Sequence, residues 1–129
     1  MSLITFIVED NPTIRENLIP TLEDLANAEV AGFAESEAEA IDWLASHRDD
    51  WHLAVVGLFL KQGSGLGVLA ACRQRGEQQR VVVLSNYATP EMRNRCTELG
   101  ADAVFDKSNE LDAFFDFCNT DRPSQFSAL

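Results

Sequence analysis

The chain has 129 residues, 46% of them apolar and 24% charged, a length and balance that suit one globular domain with a single core. Its formal net charge of −11 and pI of about 4.4 exclude direct nucleic-acid or anionic-membrane binding as an expectation, because both need clustered Lys and Arg. No stretch approaches the roughly 18 apolar residues of a membrane helix and no signal-peptide pattern is present, so a cytoplasmic protein is expected.

Leu3 to Val8 is a continuous β-prone run, fit for a strand covered on both faces. It stops at Glu9-Asp10-Asn11-Pro12, where Asn11 can cap a helix whose first position is Pro12. Ile14, Leu18, Leu22 and Leu25 give that helix an apolar side, and Pro20 is expected to interrupt it. Val30 to Ala34 reads as a weaker second strand. Ser36-Glu37-Ala38-Glu39 is a capping box for a helix with Ile41, Leu44 and Ala45 inward. Leu53 to Leu58 is a third strand. Ser64 can cap a third helix with Leu66, Leu69, Ala70 and Cys72 inward, ending near Gly76. Val81 to Leu84 is the most β-branched strand. Thr89-Pro90-Glu91 opens a fourth helix with Met92, Cys96 and Leu99 as its stripe, closed by Gly100. Ala103 to Phe105 is a short fifth strand, and Ser108 is expected to cap a last helix with Leu111, Phe114, Phe115 and Cys118 inward.

Strands alternating with helices imply βαβ units: a doubly wound α/β fold, one five-stranded parallel sheet flanked by five helices in a three-layer sandwich. The domain is expected over 1–119, with 120–129 as a loosely ordered tail. Cys72, Cys96 and Cys118 are odd in number and in no metal-ligand spacing, and read as buried thiols of a reducing compartment. His47 and His52 flank the second helix and third strand and read as surface histidines at the edge of the sheet away from the strands' carboxyl ends.

In such sheets ligands bind outside the carboxyl ends of the strands. There the first strand delivers Glu9 and Asp10, the third Gly57, the fourth Ser85, and the fifth Asp106 and Lys107. Carboxylates favour a hard cation, and a hydroxyl with a lysine suits phosphoryl oxygens. Singly, each residue has a plainer role: a helix-dipole acid, a strand-end hydroxyl or a surface lysine.

With these residues in view, the chain resembles the receiver domain of bacterial two-component response regulators. The likeness rests on "FIVEDN" at 6–11, "LAVVGLFLKQGSGLGVL" at 53–69, "VVVLSNYA" at 81–88 and "GADAVFDKS" at 100–108. The resemblance implies that Glu9 and Asp10 hold Mg²⁺, with the backbone carbonyl of Phe59 completing the metal site. It implies that Ser85 and Lys107 bind the phosphoryl group, and that position 57 carries the aspartate phosphorylated by a histidine kinase. Gly57 stands there instead. Two further departures touch the family's readout. Val104 occupies the position of its aromatic switch residue, with Phe105 on the opposite face, and Ser108 replaces a proline that often follows the lysine.

Glycine has no nucleophile, so the aspartyl phosphate cannot form, and a metal ligand is lost with it. The pocket's formal charge becomes about −1 rather than −2, so Mg²⁺ binding is expected to weaken. Ser64 and Ser85 lack an evident activating base as substitute acceptors. The glycines of "KQGSGLG" fit no phosphate-loop fingerprint. A strand-end bulge or close backbone approach is the structural alternative for Gly57.

The resemblance thus implies a response regulator receiver module, not an enzyme, that signals in a phosphorelay by protein contact. Its expected partners are a sensor histidine kinase or phosphotransfer protein and a downstream protein, with a homodimer allowed. The expected interaction face is the fourth helix, fifth strand and fifth helix, with Arg93 and Arg95 pointing outward and Phe117 partly exposed. The alternative is a phosphorylation-independent pseudo-receiver acting as a binding module. A flavin-binding protein on the same architecture is disfavoured because Glu9-Asp10 would repel the phosphate.

Overall fold

The computed structural model describes residues 3–120. Strands and helices alternate as β1 (Leu3–Val8), α1 (Pro12–Ala26), β2 (Ala28–Ala34), α2 (Glu37–Ser46) and β3 (Leu53–Val56). The order continues with α3 (Gly65–Ala71), β4 (Arg80–Ser85), α4 (Pro90–Glu98), β5 (Ala103–Asp106) and α5 (Leu111–Thr120). Five strands form one sheet in the order β2-β1-β3-β4-β5, and every neighbouring pair is parallel. The doubly wound α/β expectation holds, and the chain reverses its direction of winding between β1 and β3. α5 takes in Thr120, one residue past the expected domain boundary, and the rest of the tail lies outside the described residues.

The sheet is apolar on both sides, so each face needs its own cover. On one, Phe6, Val8, Ala54, Val56, Val81 and Val83 pack under α2, α3 and α4. On the other, Ile7, Val55, Val82 and Leu84 pack under α1 and α5 through Leu18, Leu22, Phe114 and Cys118. Val81, Val82 and Val83 are 0% exposed, and burying each such side chain stabilises by about 1.5–3 kcal/mol over leaving it in water.

Helix starts follow the sequence closely. The Asn11 side chain accepts the N–H groups of Thr13 and Ile14 with Pro12 behind it, Ser36 accepts from Glu39, Ser64 from Leu66, and Thr89 from Met92. Ser108 is the exception. Its backbone N–H and that of Asn109 donate to Asp106 Oδ1 in an Asx turn, and α5 begins only at Leu111.

Inward stripes are less faithful. Leu25 is 55% exposed and Ala26 takes the inside of α1, since a step of four from Leu22 stays on the buried face better than a step of three. α2 buries Ala40 and Leu44 and leaves Ile41 and Ala45 exposed. α3 buries Val68 rather than Ala70 and ends at Ala71, well short of Gly76, with Cys72 as its buried C-cap. Leu111 is exposed at the start of α5. Pro20 does not end α1, which runs on to Ala26 with Leu18 and Leu22 buried on either side of it.

Neither histidine is a plain surface group. His52 is half-buried, and its Nδ1 accepts the Ile4 N–H at 3.0 Å, capping a backbone donor at the rim of the sheet. His47 stacks on Trp43 at 4.1 Å, and Trp43 in turn lies flat on Phe6 at 4.0 Å. That stack needs Gly32 beneath it, for a Cβ there would stand 2.7 Å from Trp43 Nε1.

All three cysteines are buried free thiols. Burial pushes the Cys118 thiol up to about 12 and also raises Cys72 and Cys96 above the ordinary value of 9.0. Each folded thiol therefore stays protonated where an unfolded one ionises, so its contribution to stability is full below about pH 9 and is lost as pH rises towards the folded values. A disulfide reagent at pH 8 should find no thiol in the native protein and three after denaturation, and urea resistance should fall above pH 9. Rapid native labelling would contradict this burial.

Candidate functional site

The switch point between β1 and β3 is where the site forms. β1 runs out at Val8 and hands Glu9 to the rim, while the Gly57 N–H donates to Val8 O at 2.9 Å and fixes the β3 exit beside it. The Glu9 side chain turns inward and the residue is only 6% exposed. Three neighbours hold it there. Lys107 Nζ lies 2.8 Å from Oε1, the Asn11 N–H donates to Oε2 at 3.1 Å, and Arg15 Nη1 donates to the Glu9 carbonyl at 2.7 Å. Arg15 also pairs with Glu35 at 2.9 Å and lies over the Phe33 ring. Asp10 follows, half-buried.

Lys107 reaches Glu9 across the whole sheet edge because the loop after β5 is braced. The Lys107 N–H donates to Ser85 O at 3.0 Å, and the Asp106 N–H to Glu110 Oε1 at 2.9 Å. Arg93 ties the same carboxylate to α4, while also donating to Val104 O and Ala88 O. Hydrogen bonds from Arg93 and then from the Asp106 N–H hold the Glu110 carboxyl below the usual carboxylate range.

Position 57 sits over this ion pair. A Cβ built on Gly57 would point within 3.5 Å of Glu9 Oε1 and 3.2 Å of Val8 O, with no other heavy atom as near. Gly57 has no positive φ, so nothing in its conformation demands glycine. The close approach that does demand one is at Gly65, where a Cβ would collide with the Gly57 carbonyl as the α3 entry folds back on β3. Gly67 likewise makes room for the Glu37 carboxylate, whose Oε1 also accepts the Ser64 N–H at 2.8 Å. "KQGSGLG" is thus a loop clamped on Glu37 and on the β3 exit.

Ser85 is buried at the end of β4, and its Oγ accepts the Tyr87 N–H at 3.0 Å. Phe59 and Tyr87, both 60% exposed, meet edge to face at 4.7 Å beside the site, and the Phe59 backbone bridges Ser64. The site thus assembles Glu9, Lys107 and the space at Gly57, with Ser85 on the neighbouring strand end. Position 57 gives no carboxylate, the Glu9 carboxylate is already taken by Lys107 and Asn11, and no group of three His, Cys, Asp or Glu comes together among the described residues.

On the expected interaction face, Arg95 is exposed. Arg93, expected to point outward, is half-buried and donates to the Ala88 carbonyl before α4, the Val104 carbonyl of β5 and the Glu110 carboxylate before α5. Phe117 is half-buried and packs on Phe105, 5.8 Å between rings. Val104 and Phe105 do face opposite sides of the sheet, against the two separate core clusters. Sequence reading missed Arg15 and Glu37. A cation in the first turn of a helix is unfavourable beside the dipole's positive end, and for Arg15 that was the available signal of acidic and carbonyl partners.

Residues 5–118 match the family model described as the response regulator receiver domain. No curated protein matches the chain. Among solved structures it is similar to a DNA-binding response regulator of the LuxR family from Staphylococcus aureus, at 15% identity and TM-score 0.79, over 91% of this chain and 96% of that one. The signal receiver domain of the response regulator NarL from Mycobacterium tuberculosis gives 20% identity and TM-score 0.73, over 92% and 98%. A chain of the CheX-CheY-BeF3-Mg²⁺ complex from Borrelia burgdorferi gives 17% and 0.73, over 88% and 87%. At these identities the structural likeness is one of fold.

An aspartate at 57 would add a second carboxylate beside Glu9, with Lys107 the one cation shared between them. Without metal at neutral pH, the Gly57→Asp variant should melt no higher than the wild type. A clearly higher melting temperature for the aspartate form would contradict this reading of the pocket.

Proposed function

The chain belongs to the response regulator receiver family, and on that premise we propose that it is a receiver module of a two-component phosphorelay that signals by protein contact without forming an aspartyl phosphate. The observation that carries this is the missing side chain at Gly57, whose Cβ would lie 3.5 Å from Glu9 Oε1. The Cβ direction at Gly57 heads towards a carboxylate already paired with Lys107, and glycine places no nucleophile there.

Phosphoryl transfer needs a nucleophile in line with the leaving group. The two serines nearby are otherwise engaged: Ser64 Oγ caps α3 and Ser85 Oγ holds the Tyr87 N–H. Receiver domains bind Mg²⁺ as a family, and here that binding is weakened, since a metal would have to compete with Lys107 for Glu9 and would find only Asp10 and a carbonyl such as that of Phe59 besides. Ser85 and Lys107 remain the groups suited to phosphoryl oxygens.

Partners of this reading are a histidine kinase or phosphotransfer protein upstream and a protein target downstream. The α4–β5–α5 face, with Arg95 exposed and Phe117 half-buried, is the contact surface. One observation favours the second reading, a pseudo-receiver that acts as an adaptor in a single state. The Glu9–Lys107 pair satisfies both charges with no ligand, so the pocket is complete when empty.

Intact mass after incubation with Mg²⁺ and a small acyl-phosphate donor separates the two. The wild type should gain no phosphoryl group. Gain of one group by Gly57→Asp supports a relay pocket short only of its nucleophile, and labelling of neither supports the adaptor. Labelling of the wild type would overturn both.

A further inference from the structure

The outward side of α2 carries apolar groups that the core does not use. Ala38, Ile41 and Ala45 recur at the spacing i, i+3, i+7 and are all exposed, while Ala40 and Leu44 are the residues α2 buries. Across from them, α3 and its C-terminal end present Ala70 and Ala71, also exposed.

Two hollows lie along this face, and Ala45 lines both. One, of about 400 Å³, lies towards the C-terminal end of α2 over Leu44, Trp51 and Ala70. The other, of about 620 Å³, lies towards its N-terminal end over Ala38 and Ile41. Their charges are opposite. Arg48, Arg73 and Arg75 line the first with no acid, and Glu37 and Asp42 line the second with no base. On a chain with 21 acidic and 10 basic residues, three arginines around one hollow is a marked local excess. Arg75 is held by Asp102 and the Gly100 carbonyl, but Arg48 and Arg73 form no ion pair among the described residues.

We propose that this face joins two copies of the chain about a two-fold axis through Ala45. A two-fold contact sets each surface against its own rotated image, so the acidic hollow of one copy covers the basic hollow of the other, twice. Asp42 lies on α2 three residues before Ala45, and Arg48 lies three residues after it, just past the helix end at Ser46, so antiparallel α2 helices bring Asp42 of one copy towards Arg48 of the second. The Ala45 methyl permits close approach at the axis, and Ile41 of each copy leaves water over the second copy's Trp51 and Ala70. Any other occupant would have to supply both a basic and an acidic end in register with an apolar centre, and a second copy does so by symmetry.

Sedimentation velocity across low to high micromolar concentrations tests this. The wild type should dimerise with concentration, less so at high salt, and Ala45→Glu should stay monomeric. Arg48→Glu or Asp42→Arg alone sets like charges together at two places and should weaken association roughly tenfold. Mixed in equal amounts, these two variants should form a heterodimer, because each then offers the charge the other needs. Such rescue requires folded chains, so loss of fold cannot imitate it. A monomeric wild type at every concentration, a dimer indifferent to these changes, or a mixture no tighter than either variant alone would overturn the proposal.

Discussion

A carboxylate as sheltered as Glu9 is costly to bury without a partner of opposite charge, and the edge of this sheet is organised around supplying one. Lys107 provides it from the far strand, 98 positions away in sequence, and Asn11 and Arg15 secure the rest of the residue. For Lys107 to arrive, β5 must end where it does and its loop must be held by Ser85, Glu110 and Arg93. One ion pair therefore ties the end of β1 to the end of β5 across β3 and β4, on top of the strand pairing that brings the two ends together.

The same pair explains how a site with no nucleophile remains ordered. In a pocket with an added aspartate, a lone lysine would face more negative charge than it could balance, and a divalent cation would settle the account. Here one cation meets one buried anion, and glycine leaves the approach to Glu9 Oε1 without a side chain. Because the glycine is not required by its own backbone, its chemical consequence outweighs its structural one. Gly65 and Gly67 are the structural glycines of this region, letting the loop after β3 close on the β3 exit and on Glu37.

The fold was legible because it depends on features that survive without tertiary context. Five β-prone runs, four correctly read helix caps and the carboxyl-end rule place Glu9, Gly57, Ser85 and Lys107 on one edge from sequence. What could not be read was which residue of a locally apolar helix turns inward. In α2, Ile41 loses its place to Ala40 because the stacked Phe6, Trp43 and His47 rings set the rotation of the helix. Arg93 was misjudged for a related reason: its acceptors are carbonyls of Ala88 and Val104, and backbone acceptors leave no mark in a side-chain pattern. Pairings such as Lys107 with Glu9, rather than with its neighbour Asp106, likewise depend on the register of the assembled sheet.

The central claim is that the Glu9–Lys107 pair organises the site by itself. A double-mutant cycle on unfolding free energy, run without metal at neutral pH with Glu9→Gln, Lys107→Met and both together, tests it most directly. Loss of the lysine alone should cost about 3 kcal/mol, because it strands a buried carboxylate. The double variant should cost well under the sum of the two single losses, a coupling of at least about 1 kcal/mol. Single losses that add to within about 0.5 kcal/mol would mean that the two groups do not depend on one another, and the account would fail.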